Sequence, residues 1–295
     1  MSYAPLDKLI AEFHAAGRPR VWSLVITVFG DAVQPRGGRI SAARLQAVMG
    51  RLGIEAGALR TALSRLVKEQ WLVRERQGRA SFYRLSASGE TAFGVATDRI
   101  FSPNKKAQAG QAVLGVLIGG NGEARARLDR EVGKNQGRVL ATGAYVWADV
   151  DLPDGEWLAA RKILTAKCAF GPVPRAVFDL PTLRAQRRDY EDMLEKFRQP
   201  AVGETNALAP LDAFALRTLL VHYWRRIVLR YPELPFEMAP ADWPGADCLD
   251  LVVALYSAVL GSSETWLDAA AGLEGLPSPG PDLFKRFGGL DQSSR

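Results

Sequence analysis

The stretch LRTALSRLVKEQWLVRERQGRASFYRL, residues 59–85, decides how this chain is read. Its first half, traced back to Glu55 and on to Glu69, places Leu59, Ala62, Leu63, Leu66 and Val67 on one helical face. Gly57, Arg60, Thr61, Ser64 and Lys68 share the opposite face, with Arg65 at its edge. That outward face is small, polar and cationic, and its acids, Glu55 and Glu69, stand only at the two ends. Such a helix has little bulk to keep it out of a major groove about 12 Å wide, and its Arg, Ser and Thr groups can reach base edges and phosphates. The second half alternates as strands do, Trp71 to Arg76 and Ser81 to Leu85, around Gln77-Gly78-Arg79-Ala80, a tight hairpin turn with Arg79 at its tip.

Working upstream, Val21, Leu24, Val25, Val28 and Phe29 form an apolar helical stripe, which Gly30-Asp31, Pro35 and Gly37-Gly38 are expected to end in a loop. Ser41 is the expected N-cap of a second helix that buries Ala43, Leu45, Val48, Met49 and Leu52 and stops at Gly53. Helix, helix, helix, strand, turn, strand is the order of a winged helix-turn-helix, whose basic wing lies along the nucleic-acid backbone. Arg76, Arg79 and Arg84 are then phosphate candidates. Charge agrees with this. Residues 1–110 carry 17 Lys and Arg against 8 Asp and Glu, whereas the remainder carries 21 against 24. The whole positive excess sits in the first third, the footprint of a module that meets a polyanion, although a solubilising surface would leave the same imbalance.

With 295 residues, 47% of them hydrophobic and 24% charged, the chain can bury more than one core, which excludes a fibre, a disordered tail or a disulfide-stapled miniprotein. The longest apolar runs, Val113 to Ile118 and Leu251 to Leu260, fall short of a membrane span, so none is predicted. The start, Met1 to Glu12, lacks the pattern of a secretory signal, and Cys168 and Cys248 are expected to stay reduced in the cytoplasm.

Three runs carry a family resemblance: VWSLVITVFGDAVQPRGGRIS at 21–41, LRTALSRLVKEQWLVRERQGRASFYRLSASG at 59–89 and HYWRRIVLRYPELPFEMAPADWPG at 222–245. They resemble the PaaX-like transcriptional repressors of phenylacetic acid degradation, in the family's order and at both ends of the chain. The resemblance implies a DNA-binding winged helix at the front and a regulatory remainder that answers to an acyl-coenzyme A, typically phenylacetyl-CoA. Family members usually have a Trp-rich entry into the middle domain. This chain instead has Asn104 to Gly110 there, and its next Trp is Trp147, a departure that bears on the effector.

The remainder reads in two parts. A helix capped by Ser86 runs through Phe93, Val95 and Ile100, and Lys105 to Gly110 has linker composition. Val113 to Ile118, Gly137 to Ala141, Ala144 to Ala148 and Leu164 to Phe170 read as strands, with helices at Gly122 to Lys134 and near Gly155 to Lys162. That order is βαββαβ, a small ferredoxin-like sandwich, in agreement with the resemblance. Asp149, Asp151 and Asp154 read as solvated loop acids rather than a metal site. Beyond Val173 the pattern is helical: Leu180 to Phe197, Ala213 to Arg230, Cys248 to Leu260 and Ser263 to Ala271, before Ser278 to Pro281 breaks it. The expected fold is α+β multidomain: a winged helix-turn-helix at 1–104, the ferredoxin-like domain at 105–172 and a helical regulatory domain at 173–295.

His222, Arg226 and Arg230 recur at i, i+4 and i+8 and can address one site. With Arg225, Trp224 and Trp243 they offer the arginines that bind a diphosphate and the aromatics that suit an aryl group. Equally, DWPG at 242–245 reads as a Pro-fixed turn plugged by Trp243, and His222 as an interior histidine. An enzyme has little footing. The chain has only His14 and His222, no HExxH, no GxSxG and no phosphate-loop motif; Gly120-Asn-Gly122 lacks the third glycine of a dinucleotide loop, and Ser102-Pro-Asn-Lys105 matches SxxK without its companions. The reading is a cytoplasmic, ligand-responsive repressor with no cofactor or metal, a homodimer on a near-palindromic operator. Gly57, Arg60, Thr61, Ser64, Arg65 and Lys68 face the major groove, with Arg76 and Arg79 on the backbone. An RNA-binding or processing factor and an enzyme fused to a winged helix stand as rivals, separable by duplex DNA against RNA competition and by turnover of an aryl acyl-CoA thioester.

Overall fold

The apolar stripes read from the sequence fold where expected in the computed structural model, which describes residues 3–101, 112–119, 122–148, 152–168, 181–198, 205, 208–231, 242–268 and 274–289. The protein is α+β, and its contacts group into two units. The first comprises Met1–Phe101, Asp192–Arg225 and Asp247–Arg295; the second comprises Ser102–Glu191 and Arg226–Ala246. The linker expected at Lys105 to Gly110 lies outside the described residues, as do Asp149 and Asp151.

The first unit opens with a helix the sequence reading did not name, α1 (Ala4–Ala15), which buries Leu6, Leu9 and Phe13 along one face. After it come α2 (Val21–Val28), α3 (Ala42–Arg51), α4 (Ala56–Lys68) and α5 (Ala87–Phe101). Ser41 caps α3 as expected, its hydroxyl accepting from Arg44 N at 3.2 Å, and Ser86 caps α5 by accepting from Gly89 N at 3.1 Å. The sheet of this unit has three strands rather than the two expected: β1 (Arg39–Ser41), β2 (Leu72–Gln77) and β3 (Ala80–Leu85), in the order β1-β3-β2, all antiparallel.

The expected break at Gly30-Asp31 is corrected. The chain continues from α2 through a π turn, Phe29–Val33, and a 3-10 turn, Gln34–Arg36, and leaves the helix only at Gly37, in the left-handed region at φ 81°. Gly30 is needed there because a Cβ would stand 2.7 Å from Cε1 of Phe93 on α5. The bulged turn also swings Asp31 inward, where it is 1% exposed.

Asp31 is the centre of a buried ionic cluster with α9 (Pro210–Arg230) and α10 (Gly245–Asp268). Arg217 grips the carboxylate with two prongs, Nε to Oδ2 at 2.7 Å and Nη2 to Oδ1 at 3.1 Å. Arg286 Nη1 donates to Oδ1 at 2.7 Å and to the Asp31 carbonyl at 2.8 Å, and the Tyr256 hydroxyl donates to Oδ1 at 2.8 Å. Arg217 reaches on to Glu264 at 2.5 Å, and Glu264 receives Arg36 Nε at 2.8 Å, while Arg36 Nη1 reaches Asp268 at 2.8 Å. Burial by itself lowers the pKa of the Arg217 guanidinium, but Asp31, Tyr256 and Glu264 more than reverse this and hold it well above its ordinary value. Arg44, fully buried, donates to the carbonyls of Trp266 and Glu274. Arg51 donates to Asp212 and to Asp7, the latter at 2.9 Å.

The two C-terminal helices expected at Cys248 to Leu260 and Ser263 to Ala271 are one helix, α10. The helix runs through Gly261 without a break, and the hydroxyls of Ser263 and Thr265 bond back to the carbonyls of Val259 (2.6 Å) and Gly261 (3.1 Å). This helix is long and apolar enough to cross a membrane by length and composition, but Val252, Leu255, Tyr256 and Val259 bury its apolar face in the protein. After it, Leu276 N donates to Leu267 O at 2.9 Å and Gly280 N to Pro35 O at 2.7 Å, and short 3-10 turns follow at Pro281–Leu283 and Arg286–Gly288.

The second unit holds a four-stranded antiparallel sheet, β4 (Ala112–Leu117), β5 (Arg138–Ala141), β6 (Ala144–Ala148) and β7 (Ile163–Cys168), in the order β5-β6-β4-β7. Helices α6 (Gly122–Lys134) and α7 (Gly155–Ala160) supply Leu128, Val132 and Leu158 to a core shared with Tyr145, Trp147 and Ile163. Gly115 lets the indole of Trp147 lie against β4, since a Cβ there would be 2.5 Å from Cζ3. Asp154 is exposed, as expected of a solvated acid, and has a structural task besides: its Oδ1 accepts from Trp157 N at 2.8 Å and caps α7. The first part of α8 (Pro181–Phe197) adds Gln186, which accepts from the buried Arg138 at 2.7 Å, and Asp189, which accepts from Tyr231 at 2.7 Å. Burial and a carboxylate partner push the hydroxyls of Tyr145 (on Asp129) and Tyr231 (on Asp189) up to about 12.

Two outcomes follow from this packing. Asp31→Asn leaves the buried Arg286 without its counter-charge and Arg217 with Glu264 alone, and lowers unfolding free energy by about 3–5 kcal/mol in denaturant melts, whereas Lys8→Ala, at an exposed i,i+4 pair, shifts it by less than about 0.5 kcal/mol. Tyrosine in an unfolded chain titrates near about 10, so the native state holds extra protons between there and about 12. The contribution of Tyr145 and Tyr231 is therefore complete below about pH 10 and declines as the pH rises toward 12. Melts across that window should flatten in the double Phe variant.

Candidate nucleic-acid interface

Helix α4 forms because Leu59, Ala62, Leu63 and Leu66 give it one buried face against α2 and α3. The opposite face is open. Gly57, Arg60, Thr61, Ser64, Arg65 and Lys68 are all exposed, and the last five, with Glu69, line a shallow depression along it. At 13 residues the helix is about 20 Å long. Its first turn, Ala56-Gly57-Ala58, carries no side chain larger than a methyl group, and a Cβ at Gly57 would meet nothing nearer than Arg60 Nη2 at 3.9 Å, so this end can approach another surface closely. Thr61 Oγ1 donates to Gly57 O at 3.0 Å and keeps its lone pairs outward. Arg65 is held at both sides, by Glu69 at 2.7 Å and with its guanidinium 6.0 Å from the Trp22 ring. Arg60 and Lys68 have no hydrogen bond or ion pair among the described residues.

The β2–β3 hairpin closes at Gln77 opposite Ala80, with Gly78 at φ 59° and Arg79 exposed at the tip. Arg76 and Arg79 also form no ion pair among the described residues. Arg84, read from the sequence as a third phosphate candidate, is tied across the sheet to Glu75 at 2.6 Å. Arg39 lies 3.5 Å over the Phe82 ring and donates to Gln77 at 2.8 Å, and Arg74 donates to Ser81 at 2.8 Å. The structure thus sorts the basic residues of the front into those engaged by neighbouring side chains and those that are not. Arg18 and Arg20, exposed just before α2, belong to the second group and were passed over in the sequence, where Arg18-Pro19-Arg20 was their only signal.

The six residues read as an effector site divide between the two units. In the first unit, His222 is 4% exposed and its Nδ1 lies 3.1 Å from Thr27 Oγ1. Thr27 gives its single hydroxyl hydrogen to Ser23 O, so His222 Nδ1 is the donor in that pair. Arg225 donates to Thr27 Oγ1 at 2.8 Å and to Ser23 Oγ at 2.6 Å, and Trp224 Nε1 donates to Ile100 O at 2.8 Å. All three pin α9 to α2 and α5. In the second unit Arg226 and Arg230 are exposed, Arg230 pairs with Asp189 at 3.3 Å, and Trp243 stands 6.3 Å from Tyr190, with the Arg187 guanidinium 5.3 Å from its ring. Among the described residues no group of three His, Cys, Asp or Glu could hold a metal.

Comparison with known proteins matches two stretches of the chain. Residues 20–89, which contain α2, α3, α4 and the three-stranded sheet, match the PaaX-like protein family, and residues 182–269 match the PaaX-like protein C-terminal domain. The transcriptional repressor PaaX of Escherichia coli (strain K12) is 31% identical over 289 residues, covering 91% of this chain and 90% of that protein. Among solved structures, the uncharacterized protein Rv0674 from Mycobacterium tuberculosis superposes with a TM-score of 0.50 at 25% identity, over 81% of this chain and 97% of that one. The front module with its open cationic helix and the C-terminal helices it is bonded to are the two parts that match, and the chain belongs to the PaaX-like family.

Proposed function

We propose that this protein is a DNA-binding transcriptional repressor of an aromatic-acid catabolic operon, released from its operator by an aryl acyl-CoA such as phenylacetyl-CoA. The observation that carries the reading is the outward face of α4. Arg60, Thr61, Ser64, Arg65 and Lys68 are exposed together, on a helix whose neighbours are α2 and α3. Helices α2 to α4 with the β2–β3 hairpin are read as a winged helix-turn-helix: α4 enters the major groove, Arg60 and Arg65 reach base edges, and Arg76 and Arg79 at the wing take phosphates. The strand order β5-β6-β4-β7 supports a ferredoxin-like reading of the second unit. The repressor named among the relatives supports a regulatory rather than enzymatic role.

Two copies related by a two-fold axis would place one α4 in each half of a near-palindromic site. For a ligand to release such a dimer it must bind more tightly to the arrangement that does not fit the operator. The ionic cluster around Asp31 supports a physical route for that preference, because it joins the segment following α2 to α9 and α10.

The test is quantitative binding to the protein's own upstream DNA at several salt concentrations. Arg60→Ala is expected to lose about 1–3 kcal/mol of discrimination at the base pair it reads, while Arg79→Ala weakens binding to all duplexes alike and lowers the salt slope by about one. Operator preference unchanged in Arg60→Ala removes α4 from the groove. Phenylacetyl-CoA is expected to release the complex and free coenzyme A to do so poorly. Equal binding to duplex RNA would favour the RNA reading instead.

A further inference from the structure

The second unit carries a cleft that neither the DNA-binding face nor the residues read from the sequence account for. It encloses about 520 Å3, within the size range of small-ligand sites, and lies where β4 ends and α6 begins. Leu117, Ile118 and Leu128 give it apolar lining, with Ile118 half exposed. Arg125, Arg127, Arg161 and Lys162 surround that lining with four cations. Two acids also line the cleft, but Glu131 is paired with Arg161 at 2.7 Å, and the sum of the lining charges remains positive.

Three features make this more than a charged surface. Arg125 Nε is buried without a hydrogen-bond partner, a donor whose desolvation no protein group compensates. Gly119, just past the end of β4, stands in the left-handed region at φ 79°, and α6 begins at Gly122, so Arg125 and Arg127 in its first turns line the cleft together with Leu117 and Ile118 from the strand end. Across the cleft, Lys162 holds the left-handed conformation at φ 55°, and its carbonyl accepts from Ile118 N at 2.9 Å, which fastens the turn after α7 to the end of β4.

We infer that this cleft binds a phosphate ester carrying an apolar group, with the phosphates on Arg125, Arg127 and Lys162 and the apolar part against Leu117 and Ile118. On the reading given under Proposed function, which this step rests on, the ligand's phosphates are those of the acyl-CoA effector. Binding itself can be tested without that reading.

The experiment is titration calorimetry on the full-length protein with phenylacetyl-CoA, coenzyme A, inorganic pyrophosphate and the phosphate-free phenylacetyl-pantetheine. Wild type is expected to bind the coenzyme A species. The Arg125→Ala/Arg127→Ala variant should bind them at least ten-fold more weakly, with phenylacetyl-pantetheine little changed and with operator affinity and melting temperature unaltered in the absence of ligand. Lys162→Gly, which removes the charge and suits the backbone, is the second variant and is expected to act in the same direction. Unchanged coenzyme A affinity in both variants, or no binding of any phosphate-bearing probe by wild type, overturns the site. Loss of operator binding by wild type with phosphate-ester binding intact overturns the repressor reading and leaves the cleft standing.

Discussion

The carboxylate of Asp31 is the constraint on which the first unit depends. Taking a carboxylate and two guanidiniums out of water is costly, and the cost is offset only when the lone pairs and N–H groups find partners. Asp31 meets that condition with Arg217, Arg286 and Tyr256, and Glu264 and Asp268 meet it for Arg36 and the far side of Arg217. The geometry demands that Asp31 turn inward after α2, which is why the helix bulges into a π turn instead of ending at Gly30. The segment after α2 is therefore held to α9, α10 and the 3-10 turn at Arg286, and the front of the chain shares a unit with its C-terminal helices.

The same cluster changes what the basic character of the front means. A positive excess over residues 1–110 suggests a surface for a polyanion, yet Arg36 and Arg44 are buried in the cluster region, and Arg39, Arg51, Arg74 and Arg84 are engaged by neighbours. What remains outward is a smaller set, centred on α4 and the hairpin tip. The internal arginines are specific structural partners, and the outward ones keep their hydrogen-bonding capacity for something else. Net charge cannot distinguish the two groups; burial marks off Arg36 and Arg44, and pairing with neighbours marks off Arg74 and Arg84, which are themselves exposed.

Helix α9 shows the same sorting in the region read as an effector site. His222, Arg226 and Arg230 share a helical spacing, but spacing does not say what a face meets. His222, Trp224 and Arg225 are drawn into the packing of α2 and α5 by Thr27, Ser23 and the Ile100 carbonyl, while Arg226 and Arg230 belong to the other unit. The cations that do surround a cavity come instead from α6 and from the turn after α7. Arg125 and Arg127 lie in the helix expected at Gly122 to Lys134, and Arg161 and Lys162 at the end of the one expected near Gly155 to Lys162, where helical spacing alone does not show that they meet.

Local sequence determined much of this protein. The apolar spacing of α2, α3 and α4, the caps at Ser41 and Ser86, the hairpin around Gly78 and the strand and helix order of the second unit are all written in nearest-neighbour chemistry, so they could be read directly. The outward face of α4 was legible for the same reason, since a helical period assigns faces without reference to the rest of the chain. Partners distant in sequence were not legible. Asp31 and Arg217 are 186 residues apart and Asp31 and Arg286 are 255 apart, and no periodicity links such positions. Strand β1 is three residues long and exists only because β3 lies beside it, and the cleft exists only because the end of β4, the start of α6 and the turn after α7 meet in space. Which arginines are engaged by neighbours and which are left open was decided by tertiary packing, because burial and pairing are properties of the folded surroundings and not of the residue.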